Sequence, residues 1–392
     1  MKYYIFLIFA ISTMAYPFNF DGPLYPYLFQ GEQHFMDDAY LEKIMVEDLS
    51  LKYCIQTLRP FWFWHFDFFY EQEKYGSSFF GGQQQIGGRK IVIAILDTKT
   101  PRKDLIAPSG CANYYNLNRP LDFEKKMASV DLFLKTNQSQ GVSRKLLTPM
   151  MKKKAFIEHL IKKNHGTISM QLIKQIAPNN VDIISIPILD NDACCSKQEL
   201  LTGLQQALLH KVDILHVGLQ VYNIDSTAAI DQEIIQLLQK FSFVVAPAGN
   251  NGTLQVGYPA QEKNVISVGA CTKSDQRYLL ADFSQASSGS KVDFVLPGQN
   301  IIVPLWIEEV QDYVFIPTTG TSMSAALMSG VLALILEQNQ HVLPARQIMQ
   351  LLYKHSRKLD ISWCDKVEYG APILPLILQE LDILKKKKRS VW

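Results

Sequence analysis

The stretch Ile91-Val92-Ile93-Ala94-Ile95-Leu96-Asp97-Thr98 is six apolar residues in a row, closed by a carboxylate and a hydroxyl. A strand with one wet face alternates apolar and polar side chains, whereas an unbroken, β-branched run suits a strand covered on both faces. Further strand candidates occupy residues 181–188, 214–219, 243–247 and 265–268. Between several of them, apolar residues recur at helical spacing over 169–176, 199–210 and 228–240. Strands alternating with helices predict an α/β fold with a mainly parallel central sheet and helices on both faces. Sites in such sheets gather beyond the carboxyl ends of the strands. Asp97 follows the first run and Asn250 follows the fourth, so both lie where a site is expected.

Three other segments carry reactive side chains. Asn164-His165-Gly166-Thr167 stands at the head of a helical pattern. Val244-Val245-Ala246-Pro247-Ala248-Gly249-Asn250-Asn251-Gly252 follows a strand. Thr319-Gly320-Thr321-Ser322-Met323-Ser324 precedes an apolar helix over 325–336. Taken singly each has a bland reading: a turn or capping aspartate, a structural histidine, a solvated loop. Together they supply what acyl transfer needs. A serine hydroxyl becomes a nucleophile when a histidine takes its proton, and a carboxylate fixes that histidine's tautomer. An amide side chain can hydrogen-bond to the oxyanion that forms.

In this order the four segments resemble the signature of subtilisin-like serine peptidases, the subtilases, whose triad order is Asp, His, Ser. The likeness continues through Tyr258-Pro259-Ala260, Asn264-Val265-Ile266-Ser267-Val268-Gly269-Ala270, Ala281-Asp282-Phe283-Ser284, Val292-Asp293-Phe294-Val295-Leu296-Pro297-Gly298 and Tyr369-Gly370. The resemblance implies a subtilisin-like fold with Asp97, His165 and Ser322 as the triad and Asn250 at the oxyanion hole. It implies that Gly218, Leu219 and Gln220 line the substrate-binding segment, where the family has Ser-Leu-Gly. Lys99 stands where the family has glycine, Ile168 where it has a second histidine, and Ala326 where it has proline. An insertion is expected between Asp97 and His165, around residues 107–163. The function implied is a serine endopeptidase working through an acyl-enzyme. The alternatives are a catalytically silent subtilase-fold protein that binds a peptide or protein partner, and an exported α/β binding protein whose motif matches are accidental.

The rest of the chain sets the organisation. Lys2, the apolar residues 3–11 and Thr13-Met14-Ala15 read as a signal peptide over 1–15, implying export. The next segment, 16–85, is a smaller N-terminal extension. It holds one amphipathic helical pattern within 37–51 and the aromatic cluster 61–70, and closes in a Gly/Gln-rich linker. Two readings stand: a pro-segment that is cut away, or an extension packed permanently on the catalytic domain. That domain is expected over 86–384, followed by a basic, solvated tail over 385–392. No later stretch of about 18 uninterrupted apolar residues appears, so no other membrane span is expected. With 39 basic against 37 acidic residues, nothing points to nucleic acid, so the expected partner is a protein or peptide substrate. The six cysteines match no zinc spacing. Subtilases commonly bind calcium, but no carboxylate cluster here marks a site, and no cofactor is expected.

Overall fold

A computed structural model describes Phe68, residues 90–100, Glu158, 160–178, 181–190, 193–220, 228–252, 255–274, 277–285, 292–307, 312–340, 342–360, Trp363 and 365–389. Residues 1–15, read above as a signal peptide, most of the N-terminal extension and most of the expected insertion lie outside these residues.

The opening apolar run forms strand β1 (Ile91–Thr98). It lies inside a sheet, flanked in parallel by β2 (Val181–Leu189), in register Ile91 to Val181, and by β3 (Ile214–Val217), Ile93 to Ile214. β4 (Val244–Pro247) and β5 (Val265–Ser274) extend it in parallel, and β7 (Phe294–Pro297) pairs with β5 in the same sense. Among the described strands of this sheet, only β6 (Arg277–Leu280) is antiparallel. The spatial order β2-β1-β3-β4-β5-β6 means that the chain leaves β1 in one direction and returns past it to β3. With right-handed crossovers, the helices after β1 and β3 must fall on opposite faces. The crevice between the carboxyl ends of β1 and β3 is therefore the switch point where a site is expected.

Helix α1 (His165–Ile176) follows β1, and α2 (Lys197–Leu209) and α3 (Ala229–Leu238) flank β3. Ser196 starts α2 with a capping box, its side chain accepting from the Glu199 amide while Glu199 Oε2 accepts from the Ser196 amide. The longest central helix is α4 (Thr321–Asn339), packed on α1 and on β4, β5 and β7. It is apolar all round because it is buried all round. It is long and apolar enough to cross a membrane, yet 89% of that stretch is buried inside the protein. Helices α5 (Ala345–Lys354) and α6 (Leu374–Arg389) close the domain. Beside the main sheet stand the hairpin β8 (Ile301–Ile307) with β9 (Asp312–Thr318), and the short pair β10 (Ser356–Arg357) with β11 (Ala371–Pro372).

The boundary expected at residue 385 falls inside a helix: the basic run Lys385-Lys386-Lys387-Lys388-Arg389 is the last stretch of α6, with Lys386, Lys387 and Lys388 exposed. Lys385 is buried, and its ammonium donates to the Gln338 carbonyl at 2.6 Å, while Lys388 donates to the Val342 carbonyl at 2.6 Å. Gln338 lies in the last turn of α4, where carbonyls lack intrahelical donors, and the Lys385 ammonium supplies one.

Candidate active site

β1 delivers Asp97 to the floor of the crevice. Its carboxylate is fully buried and accepts from the Thr98 amide at 2.7 Å, from the Ser169 hydroxyl at 3.1 Å, and from His165 Nδ1 at 2.8 Å. A buried anion needs such a set of donors. Gly218, at the end of the neighbouring β3, stands against the same carboxylate; a Cβ there would collide with Asp97 Oδ2. Bare backbone is the only wall that fits at that approach.

His165 opens α1, and Gly166 N–H ties the helix start to Thr98 Oγ1 at 2.9 Å. Because the Asp97 carboxylate can only accept, Nδ1 carries the proton and Nε2 presents a lone pair. That lone pair faces Ser322 Oγ at 2.9 Å. Burial pulls the imidazole pKa down, but the charge of Asp97 and its hydrogen bond outweigh burial and hold it above the usual 6.5.

Ser322 is the second residue of α4, so its backbone N–H is among those a helix start leaves without an intrahelical acceptor. Asn250 lies across from it. Thr321 donates to Asn250 Oδ1 through both its amide, at 2.8 Å, and its hydroxyl, at 2.9 Å. An amide N–H cannot accept, so Oδ1 is the atom facing Thr321, and Nδ2 is turned the other way. Asn250 Nδ2 and Ser322 Oγ look onto one small space: a Cβ built on Gly320 would sit 3.3 Å from the first and 3.2 Å from the second. An oxyanion bound there would meet two donors, the Asn250 amide and the Ser322 N–H.

All four residues named from the sequence thus meet at one point. Gly218 stands against Asp97 in the crevice, Leu219 is buried, and Gln220 follows with its amide 3.2 Å from the Ala248 carbonyl and its side chain against Gly249. Of the three departures from the family pattern, Lys99 is exposed, and Ile168 and Ala326 are buried in α1 and α4. α4 runs unbroken through Ala326. Sequence reading missed Ser169, which shares a helix face with His165 by its spacing of four. It also missed His216, a fully buried histidine in β3 that bonds to Ser329 Oγ at 3.0 Å. Burial pushes its pKa down to about 4, against the opposing pull of Asp97, so it stays neutral beside the site. Nothing in the apolar run 214–219 signals that role. No group of three His, Cys, Asp or Glu side chains among the described residues is placed to hold a metal, and no step below runs through one.

The fold and this crevice define a serine site of the Asp-His-Ser kind on a mainly parallel α/β sheet. Residues 160–370 match the model of the Subtilase family, and the chain belongs to that family. It is 30% identical over 164 residues to Alkaline elastase YaB of Bacillus sp. (strain YaB), covering 42% of this chain and 40% of that one. Against the Major intracellular serine protease of Bacillus subtilis (strain 168) it is 28% identical over 200 residues, covering 48% and 59%. The chain therefore spans about half the length of the curated relatives it matches. Among solved structures, the Patellamide maturation protease PatA superposes with a TM-score of 0.51 at 20% identity, covering 75% of this chain and 98% of that one, a likeness of fold.

Proposed function

We propose that this protein is a serine endopeptidase that cuts peptide bonds through an acyl-enzyme on Ser322. The observation that carries the reading is the continuous relay from Asp97 through His165 to the Ser322 hydroxyl, 2.8 Å and 2.9 Å long. His165 Nε2 takes the hydroxyl proton as Oγ attacks the scissile carbonyl carbon. Asp97 stabilises the imidazolium that results. Asn250 Nδ2 and the Ser322 N–H bind the tetrahedral oxyanion, which collapses as the imidazolium gives its proton to the leaving amine. Water then repeats the sequence and releases the acid. The substrate is a protein or peptide. Export is proposed from the pattern of residues 1–15 alone.

Purified protein incubated with an unfolded protein substrate should yield discrete peptides, and Ser322→Ala should yield none while keeping the circular dichroism of the parent. Equal cleavage by the variant contradicts the reading. A silent peptide-binding protein would instead bind without cleaving.

For the N-terminal extension we propose that it stays attached. Phe68 is 1% exposed and meets the ring of Tyr278 on β6 edge to face, with ring centroids 5.0 Å apart. It therefore belongs to the same core as the catalytic domain. The remaining residues of the aromatic cluster lie outside the described residues.

A further inference from the structure

The ends of β3 and β4 run side by side, and they carry Gln220 and Gly249 beyond the triad. Gly249 directly precedes Asn250, and its N–H donates to Thr321 Oγ1 at 3.1 Å. Gly249 and Gly257, lacking side chains, leave between them a hollow one residue from Asn250, and the Gln220 side chain occupies it. Neither glycine has room for a side chain. A Cβ on Gly249 would collide with the Gln285 and Gln220 amides, and one on Gly257 would collide with Gln220 along its length.

The two glutamine amides fill that hollow and hold each other in it. Gln220 Nε2 donates to Gln285 Oε1 at 3.0 Å and to the Ala248 carbonyl at 3.2 Å. Gln285 Nε2 donates to the Gln255 carbonyl, and the Gln285 amide N–H donates to the Gly249 carbonyl at 2.9 Å. Gln285 is 2% exposed. A plug with this many partners does not swing out freely, because each broken bond leaves a buried polar atom without a partner.

Peptide geometry says what the hollow would otherwise take. The scissile carbonyl must place its carbon at Ser322 Oγ and its oxygen at Asn250 Nδ2. The side chain of the residue that owns this carbonyl is two bonds from the carbon under attack, so it falls against the walls nearest Asn250. Those walls are the Gly218-to-Gln220 and Ala248-to-Asn250 segments. We propose that Gln220, braced by Gln285, is the specificity-determining residue of this site: it closes the pocket for the residue before the scissile bond, so that glycine and alanine are accepted and leucine and phenylalanine are rejected. This rests on the endopeptidase reading.

The test uses the full chain and peptide anilides of one sequence, Ala-Ala-Pro-X-anilide, with X as Gly, Ala, Leu or Phe. The parent protein should show kcat/KM for X = Ala at least about 10-fold above X = Phe, the scale at which a pocket discriminates by volume. Gln220→Gly should shift the Phe-to-Ala ratio of kcat/KM upward by at least about 10-fold. Gln220→Ala, which removes the amide with less freedom added to the backbone, should move the ratio the same way. A parent that prefers Phe, or variants that cleave with an unchanged ratio, overturn the inference while leaving the peptidase reading intact. If neither parent nor variant cleaves any X, and Ser322 also resists a fluorophosphonate that has no side chain to accommodate, the peptidase reading fails and this inference with it.

Discussion

Asn250 has a divided task that can be measured. Its Oδ1 is engaged by Thr321, so the whole catalytic contribution falls on Nδ2. Asn250→Ala should lower kcat by roughly 100- to 1000-fold with little change in KM, because that donor meets full charge only in the transition state. A loss confined to KM would mean that Asn250 binds substrate instead. The state of His165 governs pH dependence. Only the neutral imidazole accepts the Ser322 proton, so kcat/KM should rise with pH. Asp97 holds the pKa above 6.5 despite burial, so the midpoint of that rise belongs above 6.5. A midpoint below 6.5, or a rate flat from about pH 5 to pH 9, contradicts this. Lys99 is exposed, so Lys99→Gly should leave the midpoint in place. At this scale the sequence was most legible where the chemistry forces one residue type into a short motif: Asp97, His165, Asn250 and Ser322. It was silent about Gln285, whose partner Gln220 is 65 positions away. Chain proximity carries no trace of such a pairing.

Elements were legible where they are buried on both sides. The runs of β1 and β4 appear as uninterrupted apolar stretches because neighbours cover them above and below, whereas β2, at the start of the strand order, is broken by Asp182 and Ser185. The hairpin β8–β9 was not foreseen. It carries Pro304 and Pro317, which argue against a strand, and it stands apart from the main sheet, where a missing N–H costs no interior ladder bond. Lys385, within the basic run, departs from expectation for a different reason. Five successive charges usually mean solvent, yet Lys385 lies over the end of α4. Lys385→Met should therefore destabilise the protein by about 1–2 kcal/mol, the worth of a charge-assisted bond at a helix terminus. Lys386→Met, at an exposed position one residue on, should stay within about 0.5 kcal/mol of the parent. Urea unfolding midpoints compare the two, and equal losses would dissolve the capping role.

At the scale of the whole molecule, the core unites segments far apart in the chain, from Phe68 to Leu381. If the extension remains in place, Phe68→Ala empties a buried site beside Tyr278 and should cost about 3–5 kcal/mol, with thermal unfolding well below that of the parent. Unchanged stability, or an active form whose N-terminus lies near residues 82–89, would favour removal of the segment. The α/β class was legible in the sequence because alternation of strand and helix is a whole-chain property. The seating of Phe68 was not, since its cluster has no periodicity that names a neighbour. The most direct measurement concerns the relay itself. The folded protein is treated with a fluorophosphonate and the modified peptide is located by mass spectrometry. A single adduct on Ser322, lost in Ser322→Ala and strongly slowed in His165→Ala, is the result expected of a serine activated by histidine. A folded protein that takes no label, or takes it elsewhere, would contradict the assignment.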